Sequence, residues 1–390
     1  MSLQFIFGNS GSGKSAWLYE HVLEQAQKYP KKDFLFLVPE QFTMQTQKEF
    51  VDRHPAHAIL NIDVLSFQRL AYRVFDDLGM MDFVVLEETG KNLVLRNVAS
   101  AKEQQLHLLS GNMRKIGYVS EMKSLISELT QYHVSLDELE QVRDALEQKH
   151  VLWHKLNDIV TLYRGYLEFL EGRYVTADEI INLLTKAAPQ SQMLRGSVVV
   201  LDGYTGFTPV QNEFLEELLV LAESVQVAVT MDMREPLYGK PDIQDLFYLS
   251  KKTVYSLCEL AKCHGVELLE PVMLGHGRSR RYQNAPAIFH LEQNLFRKCP
   301  AKYEKEQQEI QICSLFQPKN ELRFVAGEIR KLVSQEQYRY IDIAVVTGDV
   351  PSYANYAEEI FELYGIPIFV DQKKNIMFHP MIELVRAVLE

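Results

Sequence analysis

Four residues near the start of the chain, Gly8, Gly13, Lys14 and Ser15, stand in the spacing G-x-x-x-x-G-K-S. That set of groups suits a polyphosphate. Glycine admits backbone conformations closed to other residues, so the N–H groups of Gly8, Asn9, Ser10, Gly11, Ser12 and Gly13 can turn inward toward phosphate oxygens. Lys14 then reaches the β- and γ-phosphates, and the Ser15 hydroxyl is placed to ligate Mg2+. A helix starting here adds its positive end to the same anion. ATP and Mg2+ are the expected cofactors. A chance match at a plain strand–turn–helix corner is the competing reading.

Such a cradle needs an acid from a second strand to hold Mg2+. The run VVVLD, residues 198 to 202, ends in Asp202, which fits that role beside Ser15. A turn aspartate is the alternative, because Asp-Gly is a common turn pair. In many motors a glutamate follows the metal-side acid and polarises the attacking water. Here the next residues are Gly203, Tyr204 and Thr205. Glu213, Glu216 and Glu217 follow on the predicted helix but take no role without geometry, and no catalytic residue is assigned.

The elements that must position these groups are legible as patterns. Leu3–Phe7 reads as the strand before the loop, and Phe34–Val38 is a continuous apolar run, as for a buried parallel strand. Alternating strands and helices over 1–83 and again over 190–305 imply an α/β fold with a doubly wound parallel sheet. Residues 84–189 show apolar spacings of three and four with no strand signal, which predicts a helical insertion with Tyr118, Tyr132 and Trp153 in its core. From 306 to 390, EIQICSLF, IDIAVVTGD and GIPIFVD alternate with helical stretches and predict the start of a second α/β domain. The basic run holding Arg278, Arg280 and Arg281 reads as a solvated loop.

Composition narrows the class. The chain has 390 residues, 47% hydrophobic and 24% charged, with a formal net charge of −11. The acidic balance argues against a free-standing nucleic-acid binder held by bulk electrostatics, but not against a motor gripping a strand in a local groove. The four cysteines, Cys258, Cys263, Cys299 and Cys313, are too few and too dispersed for a disulfide framework. No apolar run spans a bilayer and the N-terminus is a strand, so no membrane association and a cytoplasmic location are expected. The helical pattern PMIELVRAVLE at the end lacks a C-cap, and the natural protein is expected to continue.

Taken together, GNSGSGKS, LFLVPEQFTMQTQ, IDVLSFQRLAYRV, VVVLDGYTGFTPVQ and the stretch from IDIAVVTGD through GIPIFVDQKK to HP resemble the N-terminal part of the AddB/RexB subunit family. These are subunits of the bacterial ATP-dependent helicase/deoxyribonuclease that processes double-strand breaks. The resemblance runs in order over essentially the whole chain. It implies a superfamily 1, UvrD-like helicase fold: a P-loop NTPase parallel sheet as motor domain 1A (1–83 and 190–305), a 1B-like helical insertion (84–189) and a truncated second RecA-like domain (306–390). It places nucleotide binding on Gly8 to Ser15. It places DNA-contact segments near Pro39, Glu40, Gln41 and Thr43, and near Ser66, Phe67 and Arg69, where loop and helix-cap chemistry is the competing reading. It implies an AddA-type helicase/nuclease partner and DNA, single-stranded and at duplex ends. The iron–sulfur cluster and nuclease of the family are implied only for a C-terminal region absent here.

The functional expectation is a helicase-like, nucleotide-binding subunit with weak or lost hydrolysis, acting in DNA binding, scaffolding or signal-sequence recognition. An active single-strand translocase with a base from elsewhere stays open, as does a P-loop phosphotransferase acting on a small molecule.

Overall fold

The structure, a computed structural model of the 390-residue chain, describes residues 1–80, 83–148, 150–171, 173–275, 281–370 and 379–389. Arg278 and Arg280, and the DQKK stretch near residue 372, lie outside the described residues. The chain divides into two compact units, Met1–Lys305 and Glu306–Glu390.

In the first unit the elements run β1 (Ser2–Gly8), α1 (Lys14–Lys28), β2 (Phe34–Leu37), α2 (Thr43–Arg53), β3 (Ile62–Leu65) and α3 (Phe67–Asp77). An excursion follows: β4 (Val84–Leu86), α4 (Glu88–Ala101), α5 (Ile116–Gln131), α6 (Leu136–Asp144), α7 (Val151–Leu170) and β5 (Tyr174–Thr176). The chain then returns through α8 (Ile180–Ala187), β6 (Val198–Leu201), α9 (Pro209–Leu221), β7 (Ser224–Thr230), α10 (Tyr248–Cys263), β8 (Glu267–Leu268), β9 (Val272–Met273) and α11 (Pro286–Asn294).

The seven strands of the main sheet lie in the order β3-β2-β6-β7-β1, with β8 and β9 both pairing the outer side of β1. Every pairing is parallel, with Phe36 opposite Val200 and Phe5 opposite Val227. Side chains alternate across a strand, so each apolar run feeds two cores. Phe5, Phe7, Leu35, Leu37, Val199 and Leu201 face one core with α3, α8, α9 and α10, where Leu70, Phe75, Leu184, Phe214 and Leu257 are fully buried. Ile6, Phe34, Phe36 and Val200 face the other, against Leu18 and Val22 of α1 and Phe50 of α2. A central strand covered on both faces must be apolar at every position, which is why β2 reads as FLFL.

The excursion has its own core of Leu95, Val98, Met122, Ile126, Leu162 and Tyr166. Three features there differ from the sequence expectation. First, β4 and β5 form a two-stranded parallel sheet, Val84 opposite Tyr174, where no strand was expected; three-residue strands leave too short a period to detect. Second, α8 belongs to the main sheet's core, since Ile180, Leu184 and Ala187 are buried there. Third, Tyr118 and Tyr132 are exposed. The buried stripe of α5 is Val119, Met122, Ile126 and Leu129, one residue out of phase with Tyr118, and Tyr132 sits at the helix end. The buried Lys91 ammonium reaches Asp178 at 2.7 Å and Glu88 at 2.9 Å, tying α4 to the turn after β5.

The second unit contains α12 (Pro318–Gln335), α13 (Val350–Leu363) and α14 (Pro380–Leu389). Leu322, Ala326 and Ile329 pack on Ala357, Ile360 and Phe361. The expected strands are absent among the described residues. EIQICSLF, IDIAVVT and GIPIFV run without a hydrogen-bonded ladder, and Ile312, Phe316, Val346 and Phe369 are exposed. A parallel strand exists only between neighbours, and among the described residues no ladder partner lies beside these segments.

Candidate nucleotide-binding site

A parallel sheet delivers the loops after all its strands to one edge, so residues distant in sequence converge there. The loops after β1, β2, β3, β6 and β7 carry Gly8–Gly13, Pro39–Phe42, Ser66, Asp202 and Asp232 respectively.

The glycines of the first loop are there for geometry. A Cβ on Gly8 would lie 2.3 Å from Ser12 Oγ and 2.8 Å from the Leu274 carbonyl oxygen, so the backbone approaches too closely for any side chain. Gly13, the N-cap of α1, has φ 95°, in the left-handed region that glycine tolerates. The Ser12 N–H donates to the Asn9 carbonyl at 3.1 Å and closes the turn. The Lys14 ammonium folds back and donates to the carbonyls of Gly8 at 2.8 Å and Asn9 at 3.0 Å. Burial pushes the Lys14 pKa down to about 8, a shift opposed by Asp202, reinforced by Arg281 and opposed again by Glu292.

Asp202 lies at the end of β6, buried, with its backbone N–H donating to the Leu37 carbonyl at 3.0 Å. Burial raises its pKa, while hydrogen bonds from the Ser15 hydroxyl and the Gly203 N–H and the charge of Lys14 act the other way. Ser15 and Asp202, far apart along the chain, are therefore neighbours at this edge of the sheet. A hydroxyl and a carboxylate are hard oxygen donors and suit Mg2+.

Gly203 has φ 79°, and a Cβ there would sit 3.4 Å from Pro39 Cδ. A glutamate at this position is disfavoured by the backbone itself. Two of the three glutamates of α9 are engaged elsewhere: Glu213 Oε1 lies 3.3 Å from His133 Nδ1, and Glu216 Oε1 lies 2.6 Å from His264 Nε2.

The second and third loops meet. Glu40 accepts from Arg69 Nε at 2.8 Å and from the Ser66 hydroxyl, and its carbonyl accepts from the Thr43 hydroxyl at 3.0 Å. Ser66 is also the N-cap of α3, accepting from the Arg69 N–H at 3.3 Å. Gln41 and Arg69 are exposed, while Thr43 and Ser66 are buried. Phe67 corrects the expectation of a DNA contact: it is buried, with Tyr204, Phe207 and Phe214 around its ring at centroid distances of 5.3 to 6.1 Å.

Sequence reasoning missed a further cluster. Asp232, buried just beyond β7, accepts from Arg234 N at 2.8 Å and Nε at 3.0 Å and pairs with Arg297. Arg297 also donates to Glu235 at 2.6 Å, and Lys251 joins Glu235 at 3.0 Å. These pairs hold the Asp232 and Glu235 carboxyls below their ordinary range against the opposing effect of burial. The signal was present in VQVAVTMD, a second apolar strand followed by an acid. From α11, Glu292 reaches Asn9, with Oε2 3.4 Å from Nδ2.

Comparison with known proteins gives the family of the chain. The family model described as "ADDB, N-terminal" matches residues 5–292. A protein of Lachnoclostridium phytofermentans, named as the B-type subunit of an ATP-dependent helicase/deoxyribonuclease, is 44% identical over 393 residues, covering 100% of this chain and 34% of its own length. Proteins of the same name from Clostridium novyi and Geobacillus thermodenitrificans are 32% and 33% identical, each over 100% of this chain and 34% of their own. The chain thus spans about a third of the length of the curated relatives it matches. Among the described residues no helix is long and apolar enough to cross a membrane. With a family match over residues 5–292 and similarity along its whole length to these helicase/deoxyribonuclease subunits, the chain belongs to the AddB N-terminal family.

Proposed function

We propose that this chain is the nucleotide-binding, helicase-like part of the B-type subunit in an ATP-dependent helicase/deoxyribonuclease complex, and that it holds ATP without turning it over efficiently. The observation that carries the reading is Asp202 brought beside Lys14 and Ser15 of the phosphate loop, with the residue after that acid at φ 79°. The first half of this observation is the core of a Mg-nucleotide site. The second half denies the usual place for a water-polarising glutamate.

In this reading the backbone N–H groups of Gly8 to Gly13 and the Lys14 ammonium bind the phosphates, and the ammonium exchanges its present loop carbonyls for phosphate oxygens. Ser15 and Asp202 hold Mg2+, which neutralises phosphate charge when bound. The P-loop motor-domain identity of the sheet rests on this pairing and on β7 lying between β1 and β6. Gln41 and Arg69, exposed at the neighbouring strand ends, supply polar and cationic contacts to single-stranded DNA, with Thr43 and Ser66 holding their loops and Phe67 supporting from the core. Break repair by the complex, a cytoplasmic setting and an AddA-type partner are part of this proposal. No iron–sulfur ligand is assigned to this chain.

The test is phosphate release by the chain, alone and with single-stranded DNA, beside Lys14→Ala. Little release, unchanged by DNA, is the expected result. DNA-stimulated release lost in Lys14→Ala would make the chain an active translocase instead.

A further inference from the structure

The phosphate loop carries an anion of its own. Glu292 Oε2 lies 3.4 Å from Asn9 Nδ2 and 2.6 Å from Gln293 Nε2, and its charge acts on Lys14. The loop beside it has unmet polar groups: Asn9 Oδ1 and Ser12 Oγ are buried with no hydrogen-bond partner among the described residues. The Lys14 ammonium meanwhile is spent on backbone carbonyls. Buried polar groups are normally satisfied, so this is a site built for a ligand that instead has a carboxylate at its rim.

The position of Glu292 is held by its helix. Arg234, paired with Asp232 just past β7, donates to the Gln293 carbonyl at 2.7 Å. Arg297, three residues after α11 ends, pairs with the same Asp232 and with Glu235. The end of β7 thus anchors the C-terminal turn of α11, and with it the carboxylate, against the loop.

We propose that Glu292 sets the affinity of the phosphate site: its carboxylate occupies the Asn9 amide in place of a ligand anion and opposes entry of the polyphosphate, so that nucleotide binding requires Glu292 to leave Asn9. The inference rests on the nucleotide-binding reading above. It gives α11 a role in that site: the helix yields when the polyphosphate arrives, and the Asp232–Arg234–Arg297 cluster resists the movement. A metal-ligand role for Glu292 predicts the opposite effect of neutralisation, a loss of affinity. A general-base role predicts unchanged affinity with reduced turnover.

The experiment is calorimetric titration of the whole chain with Mg-ATP, comparing wild type, Glu292→Gln, Glu292→Ala and Lys14→Ala. Removing one like charge from the rim of a partly buried anion site is expected to tighten Mg-ATP roughly tenfold in both Glu292 variants. Hydrogen exchange at α11 is expected to rise on Mg-ATP addition in the wild type. Affinity that is unchanged or weaker in both Glu292 variants, with wild-type binding still lost in Lys14→Ala, would overturn the role of Glu292 and leave the nucleotide site standing. Binding in Lys14→Ala equal to wild type, or absent in every protein, would overturn the nucleotide site and the inference together. Thermal unfolding of each variant shows whether the fold is kept; Glu292→Gln retains the volume and hydrogen-bonding capacity of the side chain.

Discussion

The runs FLFL at 34–37 and IAVV at 343–346 are alike in sequence and unlike in structure. Phe34–Leu37 lies between β3 and β6 with all four residues buried. Ile343–Val346 has no ladder partner among the described residues, and Val346 is 91% exposed. The difference teaches that an apolar run states a capacity, not a structure. A helix closes its hydrogen bonds within itself, so α12 and α13 form and pack on each other wherever their stripes meet. A parallel strand depends wholly on neighbours delivered by other parts of the chain. The same contrast governs the site. The phosphate loop is made by contiguous residues, whereas the groups facing it come from β6, β7 and α11.

The largest effect expected from this contrast is on stability. Phe36 is fully buried, its ring 5.0 Å from that of Phe50, and Phe36→Ala should cost about 3–5 kcal/mol in urea unfolding of the first unit. A loss under about 1 kcal/mol would mean that the sheet core is not as close-packed as described.

Gly203→Glu comes next. A non-glycine residue at φ 79° costs roughly 1–3 kcal/mol, so this variant should be less stable and should release phosphate no faster than wild type. A gain in turnover would mean that only the side chain, and not the backbone, keeps the site slow.

A smaller effect is on affinity and comes from Lys14. Its pKa in the free loop is pushed down to about 8, and the phosphates need the charged ammonium. Below pH 8 the free and bound forms both carry the proton and affinity should be flat. Above about pH 8 the free protein must take up a proton to bind, so Mg-ATP affinity should fall by up to about tenfold per pH unit. Stability has the opposite sign: the folded Lys14 loses its proton before the unfolded chain does, so folding should strengthen from about pH 8 toward 10.5, its ordinary value. Titrations from pH 7 to 9.5 check the first and urea unfolding across the same range the second; Lys14→Met should flatten the stability slope.

The smallest effect closes the comparison. Val346→Ala, at an exposed position, should change stability by no more than about 0.5 kcal/mol. A loss comparable with Phe36→Ala would show that the segment is paired in solution.

What the sequence made legible follows the same division. Gly8 to Ser15 could be read because the spacing itself encodes the geometry, and Asp202 because a buried strand ending in an acid marks the functional edge of a parallel sheet. β1 was legible as the strand before the loop, and β2 and β6 as continuous apolar runs bounded by turn residues. Glu292 was not, since its contact with Asn9 spans 283 positions and nothing in LEQN marks it as facing a loop. Phe67 was misread because an aromatic at a helix start suits a stacking platform and a core equally; only the rings of Tyr204 and Phe214 decide between them. The exposed Tyr118 fell one residue out of phase with a stripe whose spacing alone did not fix its direction.

The most direct test of the central claim is calorimetric binding of Mg-ATP to this chain at pH 7, wild type against Lys14→Ala, with free phosphate measured in the same cell. Saturable one-site binding that is lost in Lys14→Ala, with nucleotide recovered intact, is the expected result. Equal heats from the two proteins, or wild-type binding accompanied by steady phosphate release, would contradict it.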